Sequence, residues 1–160
     1  MLPVSTAFPA VKKLLAFPIL TVTVCGVYAP ALHNGLVWDD TALVMRDPFI
    51  RSWRLIPEGF QHFLFADATA SNFYRPLQRL SYTIDYAVFG FWTAGYHLTS
   101  MLYHLAAAVA LFLFAGELLR RFEARATVQR FVPMIAALVW AVHPVAGPER
   151  TARDAAGPRS

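Results

Sequence analysis

The chain has 160 residues, of which 57% are hydrophobic and 15% are charged, and its formal net charge is +4 at pH 7. Soluble domains carry roughly a quarter charged residues, so this composition argues against an ordinary soluble domain. The basic residues cluster at the ends of apolar segments and form no basic stripe. This arrangement excludes nucleic acid as the expected partner and is typical of a protein in contact with membrane lipid.

Three apolar segments follow one another along the chain, at residues 14–32, 95–119 and 131–145. A helix needs roughly 20 apolar residues to cross a bilayer, so we predict an all-α, polytopic membrane protein with about three transmembrane helices. A cleaved signal peptide is the alternative for the first segment, since Ala29-Pro30-Ala31 resembles a cleavage site. Cys25 lies in this segment, and we expect it to be a small buried hydrophobic residue.

Basic residues predict the topology. Lys12 and Lys13 precede the first segment, and arginines fill the linker 120–130. Because Lys and Arg collect on the cytoplasmic side, we expect residues 1–13 to form a cytoplasmic head and 33–94 an outer loop. The expected location is the inner (plasma) membrane, with multiple crossings.

The predicted outer loop, residues 33–94, mixes charged and aromatic residues in a way typical of short amphipathic helices on a membrane surface. Helical spacing relates Leu77, Leu80, Ile84 and Val88. The final segment, 146–160, has no large apolar residue and cannot bury a core. We expect it to be disordered.

Asp39 and Asp40 follow Trp38 just beyond the first apolar segment. One carboxylate could accept a proton from an acceptor hydroxyl as a general base, and the other could cap the next helix or hold an arginine. The alternative is that both residues only begin a helix over 41–46. Spacing alone leaves these possibilities open.

Other polar residues are candidates for binding. Arg75, beside Tyr74 and Pro76, could clamp a phosphate or extend to lipid headgroups. His97 and His104 are seven residues apart, which places them on one face of the second apolar helix. No third ligand has helical spacing, so we predict hydrogen-bonded histidines and no metal site.

An ordered set of motifs runs through the chain. It comprises Asn34, Trp38-Asp39-Asp40, Tyr74-Arg75-Pro76-Leu77, Leu80-Ser81-Tyr82, Asp85-Tyr86, Phe89-Gly90, Gly95-Tyr96-His97-Leu98, His104 and Trp140-Ala141-Val142-His143-Pro144-Val145. Together these motifs resemble the start of polytopic GT-C glycosyltransferases, above all bacterial relatives of the transmembrane and tetratricopeptide-repeat O-mannosyltransferases. The resemblance covers roughly residues 10–145 and makes 14–145 the N-terminal part of a GT-C-like membrane domain.

The resemblance implies transfer of a sugar from a polyprenyl-phosphate donor to an acceptor hydroxyl on protein or glycan, outside the cytoplasm. Asp39 or Asp40 then stands where the family has its base, with Asp40 favoured. Tyr74, Arg75, His97 and His143 become candidates for binding substrate, with Arg75 near the lipid phosphate. No cofactor is implied beyond the lipid-linked sugar, which is the donor substrate.

The sequence also departs from the family. Ser100 stands where the family usually has asparagine, and Glu149 comes one place late for its glutamate after His-Pro-Val. Further spans and repeats do not follow, so we expect a truncated or frame-shifted fragment that is inactive alone. The alternatives are a non-enzymatic membrane subunit or scaffold with a membrane-protein partner, and a transporter fragment suggested by His97 and His104.

Overall fold

The structure is a computed structural model that describes residues 10–36, 40–63 and 74–143. Within those ranges all regular structure is helical and no strand occurs, so the all-α prediction is confirmed there. The α-helices of these ranges are α1 (Ala10–Tyr28), α2 (Ile56–Gly59), α3 (Pro76–Phe89), α4 (Thr93–Arg121) and α5 (Ala126–Val142). Shorter pieces are the 3₁₀ turns Ala29–His33, Phe49–Arg51 and Trp53–Leu55 and the π-helical turn Thr41–Arg46.

Two helical segments, Leu14–His33 and Thr93–Arg121, are long and apolar enough to cross a membrane by length and composition. Helix α5 is apolar but has only 17 residues, and it begins ahead of the predicted start at Phe131. The third crossing, the inside–outside topology and the predicted domain boundaries stay predictions. The predicted disordered segment 146–160 lies outside the described residues.

The chain divides into two compact units. Among the described residues, the bundle unit comprises 10–30 and 100–143, and the loop unit comprises 31–36, 40–63 and 74–99. Helix α4 begins in the loop unit and continues into the bundle unit.

The bundle unit packs α1, α5 and most of α4 around a small apolar core. Its buried residues are Ala16, Leu20, Val24, Ala108, Phe112, Ala137 and Ala141. Four of these seven are alanines, which allow helix backbones to approach closely, as is common between membrane helices. Many larger apolar side chains point outward, including Phe17, Val22 and Phe114. Cys25 is exposed as well, so the expectation that it is buried was wrong.

Two aromatic side chains cover the end of α5 in the bundle unit. The Tyr28 hydroxyl donates to the His143 carbonyl at 2.7 Å, and His104 Nε2 lies 3.2 Å from the Ala141 carbonyl. The last carbonyls of a helix have no partner within the helix. Tyr28 and His104 supply that partner from neighbouring helices, which explains why the helix can end there in an apolar setting.

The loop unit has a different interior. Leu43, Val44 and Ile50 are buried beside Asp47, Arg79, Thr83 and Asp85. Helix α3 carries three of these buried polar residues, whereas Leu77, Ile84 and Val88 on the same helix are exposed. Pro76 begins α3, where its missing N–H is least costly, and Gly90 ends it with φ +58° and ψ −120°, a conformation that glycine tolerates best.

Candidate functional site

Asp40 lies directly before the π-helical turn Thr41–Arg46, and its side chain makes no capping hydrogen bond there. Its Oδ1 atom instead accepts a hydrogen bond from the Tyr82 hydroxyl at 3.4 Å. The Tyr82 oxygen accepts from Gln78 Nε2 at 3.3 Å, and Gln78 Oε1 accepts from Arg75 at 3.5 Å. Two of the predicted site residues, Asp40 and Arg75, are therefore joined through Gln78 and Tyr82.

The direction of this chain of hydrogen bonds is fixed at both ends. Arginine can only donate and an ionised carboxylate can only accept. Gln78 must therefore turn its oxygen to Arg75 and its amide nitrogen to Tyr82, so the phenol proton points at Asp40. Each of the three hydrogen bonds is long for its type.

Burial raises the pKa of the Tyr82 phenol, against the hydrogen bond from Gln78, which lowers it. The charge of Asp40, its hydrogen bond with the phenol and the charge of Asp85 raise the pKa further. A phenol with a raised pKa keeps its proton through the neutral range. Tyr82 is therefore a lasting donor to the Asp40 carboxylate.

Tyr74 and Arg75 immediately precede α3, and both side chains are exposed. The Tyr74 hydroxyl donates to the Phe60 carbonyl at 2.7 Å, which ties the start of α3 to the end of the preceding helical region. Arg75 presents its guanidinium at the surface with Gln78 as one partner. An exposed guanidinium with its fork of donors is suited to a phosphate.

Arg79 organises the loop unit, and the sequence analysis did not single it out. Its Nε atom donates to Asp47 at 2.9 Å, and both side chains are buried. The same guanidinium donates to the carbonyls of Gly59, His62 and Phe63 at 2.5–3.1 Å. Arg79 thereby binds residues 59–63 and Asp47 to α3. The sequence alone could not predict that Asp47 pairs with Arg79, because the two residues are 32 positions apart.

Arg51 plays a related part beside the π-helical turn. It donates to the carbonyls of Val44 and Met45 at 3.1 and 2.8 Å. Its guanidinium carbon lies 4.7 Å from the Tyr86 ring centre and 4.6 Å from that of Phe91. The arginine therefore holds the end of the turn that Asp40 begins, and cation–π contacts hold the arginine in place.

Asp85 is a second carboxylate in this unit that sequence reasoning did not select. It is 4% exposed, and the Thr99 hydroxyl donates to it at 2.8 Å. Burial raises the pKa of the Asp85 carboxyl, and the hydrogen bond from Thr99 opposes that rise. Its position on α3, one helical turn beyond Tyr82, explains its electrostatic effect on the phenol.

The histidines make hydrogen bonds within their own units. His97 Nε2 lies 3.1 Å from the Asn34 carbonyl, and His104 bonds the Ala141 carbonyl as described above. The His143 side chain is exposed. The contacts of His97 and His143 with substrate stay predictions. Among the residues that the structure describes, no three His, Cys, Asp or Glu side chains form a group able to hold a metal ion.

Asp39 and Trp38 lie outside the described residues, so the choice between Asp39 and Asp40 as the base stays a prediction. Asp40 is described, and its partners place it beside α3. A helical turn does begin at Thr41, as the alternative expects, although the Asp40 side chain makes no capping hydrogen bond to it.

The sequence is similar to that of one curated protein. The chain is similar to "Protein O-mannosyl-transferase Tmtc1" of Drosophila melanogaster, with 28% identity over 122 residues. The alignment covers 74% of this chain and 13% of that protein, so the chain spans a small part of the relative's length. No protein-family model matches the sequence. No solved structure matches it either. The similarity supports a relationship to glycosyltransferases of the Tmtc type.

Proposed function

We propose that this chain contributes the acceptor-activating loop of a membrane glycosyltransferase that transfers mannose or a related sugar from a polyprenyl phosphate to a hydroxyl group. The observation that carries the proposal is the Asp40 carboxylate, held by Tyr82 and connected through Gln78 to Arg75. Similarity to an O-mannosyl-transferase supports the choice of reaction. The activity, donor and acceptor of that larger protein are proposals for this chain.

A membrane location is supported by the surfaces of the helices. Segments Leu14–His33 and Thr93–Arg121 are apolar, and only 17% and 11% of their apolar stretches are buried, whereas a core helix of a soluble protein is mostly buried. Exposed apolar surface of this extent is costly in water and favourable in lipid. We infer that at least these two segments contact the acyl chains, and that multiple crossings of the inner (plasma) membrane follow from them.

Helix α3 adds a further reason for contact with lipid. It buries Arg79, Thr83 and Asp85 and exposes Leu77, Ile84 and Val88, which reverses the order usual for a helix on a soluble domain. A helix whose apolar face lies in the membrane interface has this arrangement. Phe91 and Trp92, both exposed, follow α3 directly and suit the headgroup level.

The proposed reaction assigns two roles. Asp40, or its neighbour Asp39, accepts the proton of the acceptor hydroxyl. At the same time the acceptor oxygen forms a bond to the anomeric carbon of the sugar. The bond from that carbon to the phosphate oxygen breaks, and its electron pair leaves with the polyprenyl phosphate. Arg75 would bind the phosphate and stabilise its growing negative charge, so positioning and charge stabilisation supply most of the rate.

The direct test uses the full chain in lipid nanodiscs with a photoreactive polyprenyl-phosphate mannose and a serine- and threonine-containing peptide. We expect the donor to cross-link to the wild-type chain. The proposal also predicts that mannose reaches the peptide, a result that would contradict the sequence-based expectation that the chain is inactive alone. Arg75→Gln should weaken cross-linking, and Asp40→Asn should abolish transfer while cross-linking persists. Glu58→Gln, which changes an exposed carboxylate of the same unit, is the matched control and should do neither.

The proposal is contradicted if the wild-type chain gives no more donor cross-linking than Arg75→Gln and also transfers no mannose. In that case the alternative, a non-enzymatic membrane subunit or scaffold, remains for the same fold. Full transfer by Asp40→Asn with loss of transfer in Asp39→Asn would move the base to the neighbouring residue.

A further inference from the structure

We propose that Tyr82 is a positioning residue that holds the Asp40 carboxylate in one orientation, so that the base meets the acceptor hydroxyl without rearrangement. This inference rests on the proposed function for its catalytic meaning, but the pairing itself can be tested without any activity. It assigns a role to a residue on α3, 42 positions along the chain from Asp40.

The phenol is placed by its surroundings as well as by Asp40. Its ring contacts the Tyr96 ring edge to face, with centres 6.1 Å apart, and its oxygen accepts from Gln78. Because Gln78 occupies the acceptor side of the hydroxyl, the hydroxyl hydrogen has one remaining direction, which is toward Asp40. Ring contact and hydrogen bonding together fix the donor before any substrate binds.

Charge explains why a tyrosine suits this position. A lysine or arginine would weaken the carboxylate strongly as a base, whereas a neutral phenol orients it and lowers its basicity less. The neighbouring carboxylates of Asp40 and Asp85 and the burial of the ring all keep the phenol protonated. The donor is therefore present at every pH at which a carboxylate base works.

Helix geometry supplies the remaining support. Gln78 and Tyr82 are one turn apart on α3 and lie on the same side of that helix, with Arg75 just before its start. A single rigid helix thus carries the donor to the base and the cation proposed for the phosphate. The distance between Tyr82 and Arg75 is then set largely by α3.

The first experiment measures the ionisation of Tyr82 in the full chain in nanodiscs, by ¹³C NMR of tyrosine labelled at the ring carbon that bears the hydroxyl. Six tyrosine signals are expected, and the Tyr82 signal is the one that Tyr82→Phe removes. In Asp40→Asn the Tyr82 titration should move to lower pH, because the negative charge and the carboxylate acceptor are both lost. Glu58→Gln should leave it in place.

A Tyr82 titration that is the same in wild type and Asp40→Asn overturns the inference, whatever the chain does with sugars. This readout depends only on contact between the two residues. Failure of the proposed function appears elsewhere, as a wild-type chain without donor cross-linking or transfer, so the two failures are distinguishable.

The second experiment measures transfer rates for Tyr82→Phe. We expect kcat to fall roughly five- to tenfold, the effect of one lost hydrogen bond to a working group, while KM for the donor stays unchanged. The acid limb of the pH–rate profile should move to higher pH because the carboxylate loses a donor that favours its charged form. A purely structural role would lower the amount of folded protein and leave this limb unmoved. A variant with wild-type kcat and an unmoved limb contradicts a positioning role.

Discussion

The bundle unit and the loop unit differ in the kind of side chain that they bury. In the bundle unit the buried residues are apolar and small, and large apolar side chains also cover the outside. In the loop unit the interior holds the Asp47–Arg79 pair together with Thr83 and Asp85. The contrast shows that apolar side chains do not mark the inside of either unit of this chain. The loop unit buries Leu43, Val44 and Ile50 together with these polar residues, and each polar residue has a hydrogen-bonding partner.

The two interiors also differ in what fixes their geometry. Apolar contact is not directional, so the bundle unit depends on the fit of alanines and larger residues between helices. The guanidinium of Arg79 is directional, and its bonds to one carboxylate and three carbonyls define the course of residues 59–63. This specificity matters for function because Asp40 and Tyr82 lie in the unit that Arg79 organises.

The largest expected effect comes from breaking the polar interior of the loop unit. Arg79→Gln leaves the Asp47 carboxylate buried without its cation, which should destabilise the unit by about 3–5 kcal/mol. The measurement is hydrogen exchange of peptides from residues 40–63 and 74–89, in nanodiscs. Arg54→Gln, an exposed arginine of the same unit, should change protection by less than about 0.5 kcal/mol. Equal protection in the two variants would show that the Asp47–Arg79 pair does not hold the unit together.

The matching test of the bundle unit removes apolar volume. Leu20 is fully buried, so Leu20→Ala should cost about 2–5 kcal/mol through lost contacts and a cavity. Val22→Ala is the control, since Val22 is 72% exposed on the same helix. Denaturant titration in nanodiscs, followed by circular dichroism, should give a lower midpoint for Leu20→Ala alone. Similar midpoints for both variants would mean that outward and inward apolar residues contribute alike.

The smallest effect is a pH dependence confined to the loop unit. Burial raises the pKa of Asp85, which means that the folded state binds this proton more tightly than the unfolded chain does. Stability from this group is therefore complete below the ordinary pKa of aspartate and is lost as pH rises through the folded-state value. Asp85→Asn removes the ionisation and keeps an acceptor for Thr99.

The stability of Asp85→Asn relative to wild type should therefore increase between about pH 4 and about pH 7. Hydrogen exchange of residues 74–89 at both pH values gives this difference directly. Asp85→Ala is the comparison that also removes the acceptor, and it should lie below Asp85→Asn at both pH values. A difference that falls with pH would show that the carboxyl is stabilised in its charged form.

Much of the fold follows from local features of the sequence. The charge-poor segments near 14–32 and 95–119 coincide with the long apolar helices, because length and composition are properties of the segment itself. The helix that contains Leu77, Leu80, Ile84 and Val88 was also predictable from helical periodicity. Periodicity did not predict which face of that helix is buried, because it does not state whether water or lipid lies outside.

The candidate site was predictable only in part. Asp40 and Arg75 stood out as isolated chemical features. Gln78 carried no signal, and Tyr82 appeared only in the motif Leu80-Ser81-Tyr82, without a role. The Thr99 partner of Asp85 and the carbonyl partners of Arg79 were equally hidden. A buried polar group needs a hydrogen-bonding partner, and here that partner comes from a different part of the chain, so the sequence does not identify it.

Local properties of the chain were enough to predict helices rich in apolar residues, because backbone preference and hydrophobicity act over neighbouring residues. The pairing of Asp40 with Tyr82 and of Asp47 with Arg79 became known only from the packed structure, since these partners are 42 and 32 residues apart. Hydrogen bonds between distant residues depend on distance and angle in space. Those quantities exist only once the helices have packed.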